Sequence, residues 1–279
     1  MLFLLLAVSV LGDGVKEDEG CPALRDDQLV RVRLDPEEDV LRRPFHAEFQ
    51  PFYATTDWES PERFLVGYTV EVGNPLHLSA HPPSPEGCGE RSRARDTAAP
   101  IASCRRVAVS AGFFDTRTGR CYGHLVSGGR VVQTAEPWRF NAHFGLFRNG
   151  SIFVGYVRPE EVREWPFKEL VGGVLWLIKD GRSFFDQSIR LECGKTQETG
   201  SLREFAEVKS ARVILGHDER GQVKIIVVEG KTRKFGATLK DMEILAISQG
   251  LVNAVNLDGG GSAALLLNST LLNLPTDSW

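Results

Sequence analysis

The stretch SARVILGHDERGQVKIIVV, residues 210–228, decides the fold. Two β-favouring runs stand on either side of a turn at residues 217–221, so the runs pair locally and antiparallel as a hairpin. Two neighbouring stretches read the same way: FGLFRNGSIFVGY turns at Asn149-Gly150 and VLWLIKDGRSFF at Asp180-Gly181, both dipeptides suited to tight hairpins. RFLVGYTVEV, residues 63–72, adds another strand. One persuasive helix, TLKDMEILAISQG, runs from a Thr238 cap, with Asp241 three residues on, to a stop at Gly250. The expected class is α+β, a mixed and largely antiparallel sheet with a few helices.

With 279 residues and 42% hydrophobic content the chain can bury a sizeable core, and its net charge of −4 lacks the dense basic face that nucleic acid or an anionic membrane wants. Residues 1–12 read as a signal peptide, being apolar but too short to span a bilayer. Residues 13–60 read as an acidic, proline-spaced extension, and residues 61–279 as the main domain. Oligomerisation stays open at this stage.

Five cysteines, Cys21, Cys88, Cys104, Cys121 and Cys193, lack CxxC spacing, so no metal site is expected and disulfides are. Sequons at Asn149 and Asn268 agree with passage through the secretory pathway.

After the helix comes VNAVNLDGGGSA, residues 252–263, a buried-strand pattern ending in Asp258 and three glycines. Successive glycine amides can cradle an anion beside the carboxylate, with Gly259, Gly260, Gly261 and Ser262 as the candidates; a plain tight turn fits the spacing equally well. Arg212 stands in an apolar strand, where a guanidinium must meet a carboxylate or a polar cleft. His217 and Asp218 open the hairpin turn, and Asp there is also ordinary turn chemistry. Gly112, Phe113 and Phe114 could bend and wall a pocket, or simply pack. His143 reads as a packed hairpin residue, and no GxSxG elbow is present.

Taken in order, GFF, NAHFGLFRNGSIFVGY, GGVLWLIKDG, KTQETGS, SARVILGHDERGQV and VNAVNLDGGGSA resemble the phosphodiester glycosidase family over about residues 60–279. The resemblance implies a Golgi-lumenal hydrolase without a cofactor, acting on the phosphorylated high-mannose glycans of lysosomal hydrolases. It removes α-linked N-acetylglucosamine from a phosphodiester on mannose and exposes mannose 6-phosphate. It also implies disulfides Cys88 with Cys121 and Cys21 with Cys193, leaving Cys104 for a partner beyond residue 279, where any membrane anchor would also lie.

A phosphate monoester leaves readily, so cations and N–H donors can replace the general acid that an ordinary glycoside needs. Asp258 is then expected at the anomeric carbon and Arg212 with the glycine amides on the phosphate. His217 and Asp218 are expected in orientation or proton transfer, and Phe113, Phe114, Asn141, Glu198 and Thr199 around the sugar. The family reads Asn-Gly-Gly-Phe-Phe where this chain has Ser110-Ala111-Gly112-Phe113-Phe114. That departure keeps a second expectation in play, a secreted paralogue that binds phosphoglycans without catalysis or with altered specificity.

Overall fold

The structure is a computed structural model describing residues 21, 29–44, 46–55, 64–82, 87–88, 107–115, 118–136, 139–194, 200–268 and 270–276. Two large sheets lie face to face. The first is ordered β1 (Arg31–Leu34), β8 (Ile152–Gly155), β7 (His143–Phe147), β9 (Phe167–Gly172), β5 (Leu125–Ser127), β6 (Arg130–Gln133). The second is ordered β11 (Arg182–Ser183), β10 (Trp176–Lys179), β14 (Asn253–Leu257), β12 (Arg212–His217), β13 (Val223–Val228), β3 (Leu65–Val72), β2 (Ala47–Ala54). A small sheet joins β4 (Val107–Val109), β15 (Leu265–Leu267) and β16 (Thr270–Leu271). Each pairing between these strands is antiparallel, as the hairpin chemistry requires.

Alternation along β12 shows how the layers are made, because successive side chains on a strand point to opposite faces. Val213 and Leu215 enter the core between the sheets with Phe144, Leu146, Val154 and Val255. Ile214 points the other way, into a second core with Ile226, Ala254 and the helices α4 (Leu202–Glu207) and α5 (Leu239–Ser248). Thr238 caps α5 with a reciprocal Asp241 contact, as the sequence pattern predicts. The outer face of the first sheet is covered by α2 (Pro159–Glu164), with Phe147, Phe153 and Phe167 packed around Val162. Two further helices are α1 (Glu38–Arg42) and α3 (Phe185–Leu191).

The N-terminal extension is part of this fold. Strand β1 pairs with β8, setting Arg31 opposite Gly155, and β2 runs the full length of β3. Strands from before residue 60 therefore complete an edge of each large sheet. Cys21 is joined to Cys193, and Cys88 to Cys121. The leader at residues 1–12 and Cys104 lie outside the described residues. Among the described residues no helix is long and apolar enough to cross a membrane.

Candidate active site

Strand β14 is buried along its whole length between β10 and β12, and its last residue delivers the chain to Asp258 at the sheet's end. The register sets Leu257 opposite Val213, so Asp258 and Arg212 follow on neighbouring strands at one edge. Asp258 is half-buried, and its N–H donates to the Ala111 carbonyl at 2.7 Å, which draws the 110–114 loop alongside. Ser110 ties the same loop down: its N–H donates to the Ala264 carbonyl, and its hydroxyl oxygen accepts the Ala264 N–H at 3.1 Å.

The glycine run is bare for a steric reason. A Cβ on Gly259 would stand 2.6 Å from the Ala211 carbonyl oxygen, and Gly260 sits at φ +58°, a conformation that disfavours side chains. The amides face inward. Gly259 N–H donates to Asp258 Oδ1 at 2.9 Å, Gly260 N–H to the Ala211 carbonyl at 2.8 Å and Ser262 N–H to the Gly259 carbonyl at 3.1 Å. The loop therefore braces the carboxylate and brings backbone close to β12, and the expected anion cradle of three glycine amides loses at least two of its donors. Gly261 is buried and Ser262 half-buried.

Arg212 is 2% exposed. Its Nη2 donates to the Phe205 and Val208 carbonyls at 2.6 Å each, and its Nε donates to the Ala237 carbonyl at 3.2 Å. The guanidinium lies over the Phe205 ring, 4.6 Å from its centre. Nη1 has no acceptor and no carboxylate stands within ion-pairing distance among the described residues. Burial pulls the group down to about 10 while Asp241 and Asp258 act against that, so it stays a cation at neutral pH.

His217 and Asp218 do not join this site. His217 pairs with Asn253 at the opposite end of β12, about 17 Å along the strand from Arg212 at the usual rise. There His217 Nδ1 meets the Asp218 carbonyl at 2.8 Å, and Asp218 Oδ1 accepts the N–H groups of Arg220 and Gln222. Asp218 is turn chemistry, and the expected role for both residues in proton transfer at Asp258 is corrected by distance.

Phe113 is buried and meets Phe205 edge-on at 5.9 Å, so its ring is core under Arg212, while Phe114 is half-buried and Gly112 exposed. Asn141 is buried and donates through Nδ2 to Glu192 at 3.0 Å. Glu192 also receives Tyr156, Ser188, Leu175 and Trp176, a network that ties α3 to both sheets; burial raises its carboxyl. His143 is buried and neutral by geometry, its Nε2 accepting the His124 N–H. Glu198 and Thr199 lie outside the described residues. Asn149 and Asn268 are both exposed in turns.

Three residues at this edge escape the sequence reading. Ser210 and Thr232 share a hydroxyl hydrogen bond of 2.8 Å beside Gly260. Asn256 is fully buried, gives Nδ2 to the Val174 carbonyl and leaves Oδ1 without a partner among the described residues. Two amides, Asn253 and Asn256, within one short buried-strand pattern are the available signal for Asn256; nothing in the sequence joins Ser210 to Thr232.

Known proteins resemble this chain in sequence and fold. The chain is 38% identical to bovine N-acetylglucosamine-1-phosphodiester alpha-N-acetylglucosaminidase over 99% of its own length and 57% of that protein's. It is 41% identical to the human protein of that name over 77% of its own length and 42% of the human one. It thus spans about half the length of these relatives. The solved zebrafish catalytic domain of that name, titled as auto-inhibited by pro-peptide, superimposes with a TM-score of 0.76 at 34% identity, covering 90% of this chain and 82% of that one. Residues 103–279, which hold the Ser110 loop, Arg212 and Asp258, match the phosphodiester glycosidase family, and the chain belongs to it.

Proposed function

We propose that this chain hydrolyses a sugar phosphodiester, releasing α-linked N-acetylglucosamine from N-acetylglucosamine-1-phospho-6-mannose on the glycans of lysosomal enzymes and leaving mannose 6-phosphate. The observation that carries the reading is a buried guanidinium, Arg212, with no direct ion pair among the described residues, next to a strand-end carboxylate, Asp258, that with Asp241 sustains its charge from a distance. A buried charge without an ion partner is costly, and a bound phosphate meets that cost. The names borne by the relatives favour an enzyme over a binding paralogue.

In this reading Asp258 acts at the anomeric carbon. The C1–O bond breaks, its electron pair stays on the phosphate oxygen, and water supplies the hydroxyl at C1 while its other proton is released to solvent by way of the Asp258 carboxylate. No protonation of the leaving group is required, because the phosphate monoester is stable as an anion. Arg212 stabilises the charge that appears there. Two disulfides suit an oxidising compartment, which supports a secretory-pathway setting; the Golgi lumen is the site this reading assigns.

The test is incubation with N-acetylglucosamine-α-1-phospho-6-mannose and product identification by mass spectrometry, with Asp258→Asn and a chelator in parallel. Free N-acetylglucosamine and mannose 6-phosphate are expected, with at least a hundredfold loss, roughly, in the variant and no effect of chelator. Release of N-acetylglucosamine 1-phosphate, or an undiminished Asp258→Asn rate, would overturn the assignment.

A further inference from the structure

Beside the glycine loop stands a five-residue hairpin tip, Lys231-Thr232-Arg233-Lys234-Phe235, closed by reciprocal backbone bonds between Lys231 and Phe235. Its position is fixed by glycine on both stems. A Cβ on Gly230 would stand 2.3 Å from Ala211 N, and one on Gly236 2.3 Å from the Ser210 carbonyl oxygen, so the hairpin lies directly on the start of β12. Arg233 takes φ +64°, unusual for a side chain of its size, and its N–H is held by the Lys209 carbonyl at 2.8 Å.

The charge here is mostly basic, with Glu204 acting on Arg233 from beyond ion-pairing distance. Lys209, Lys231, Arg233 and Lys234 are all exposed, and none has a carboxylate within ion-pairing distance among the described residues. In a chain of net charge −4 such a cationic patch stands out. At its foot, Thr232 Oγ1 and Ser210 Oγ face the bare side of Gly260, two residues after Asp258. Two hydroxyls sharing one hydrogen bond keep one proton free to donate.

We infer that this hairpin is the subsite for the phosphomonoester half of the substrate. The inference rests on the hydrolytic reading above and adds the residues that receive the leaving group. Before cleavage the phosphodiester carries one negative charge; when the C1–O bond breaks, the electron pair leaves a second on the departing oxygen. Cations and a hydroxyl donor placed there hold the product side more strongly than the ground state, which is how binding becomes rate. Lys231, Arg233 and Lys234 supply the field, and the Ser210–Thr232 pair supplies the directed donor.

The experiment compares the wild-type chain with a Lys231→Gln, Arg233→Gln, Lys234→Gln triple variant and with Thr232→Val. Turnover is measured along with binding of mannose 6-phosphate and, separately, of N-acetylglucosamine. The triple variant is expected to bind mannose 6-phosphate about tenfold more weakly and to lose most of the wild type's salt dependence, while N-acetylglucosamine binds as before. Thr232→Val, which removes no charge, is expected to lower kcat with the salt dependence intact. Equal mannose 6-phosphate binding in wild type and triple variant, with turnover normal, would overturn the subsite. Hairpin-dependent binding of mannose 6-phosphate by a wild-type chain that releases no sugar would support the subsite and overturn the hydrolytic reading instead.

Discussion

Arg212 holds a helix end and, in the proposed reaction, the phosphate, and the two roles can be separated. Its Nη2 and Nε hold the carbonyls of Phe205, Val208 and Ala237, two of them at the end of α4, where a cation also complements the helix dipole. Lysine keeps the charge but cannot fork to three carbonyls. Arg212→Lys is therefore expected to lose about 2 to 3 kcal/mol in urea unfolding and at least about tenfold in kcat/KM. A stability loss with full activity in the folded fraction would assign the arginine to the helix end alone. Arg212 was legible from sequence because a guanidinium in an apolar run demands an explanation. Its partners were not, since Phe205 and Ala237 reach it only through the packing of α4 and the hairpin stem. The position of His217 is hidden for a related reason: adjacency in the motif conceals the length of a strand.

Between elements, the strands β5 and β7 flank β9 in their sheet, and a pair of buried histidines bridges over it. His124 gives Nε2 to the Val157 carbonyl and accepts the Ala135 N–H on Nδ1; His143 accepts the His124 N–H, and the rings lie 4.7 Å apart. Burial holds both below the usual 6.5, His124 at about 4, so both are neutral in the fold. Because the folded values are depressed, the contribution is complete above pH 6.5 and is lost as pH falls toward about 4. By pH 5, His124 alone is expected to lower stability by about 2 kcal/mol, and His143 adds in the same direction. Urea midpoints at pH 7 and pH 5 check this, and a His124→Gln variant should show a shallower decline. A midpoint unchanged between the two would contradict it. The hairpins of these sheets were readable because turn dipeptides and alternation sit side by side in the chain. Strands β1 and β2 were not, since β1 finds its partner more than a hundred residues away and Glu48 and Pro51 of β2 mark an edge.

At the scale of the molecule, the family match begins at residue 103, yet both large sheets recruit strands from the first 54 residues, and Cys21 clasps Cys193. A chain of residues 61–279 lacks β1, β2 and that clasp, and leaves β3 and β8 with unpaired edges. It is expected to aggregate or to lose its cooperative thermal transition, as circular dichroism and size-exclusion chromatography would show; a soluble, two-state fragment would refute this. The order of synthesis adds a consequence to the central place of β14. Its neighbours β10 and β12 leave the ribosome before it does, and the strand that fills the gap between them comes after the rest of that sheet. Until then the nascent chain carries two open edges that other chains can engage, so aggregation competes with maturation at that slot. The carboxylate at Asp258 falls into place only on insertion of that strand, which makes the proposed reactive centre one of the last features of the protein to exist.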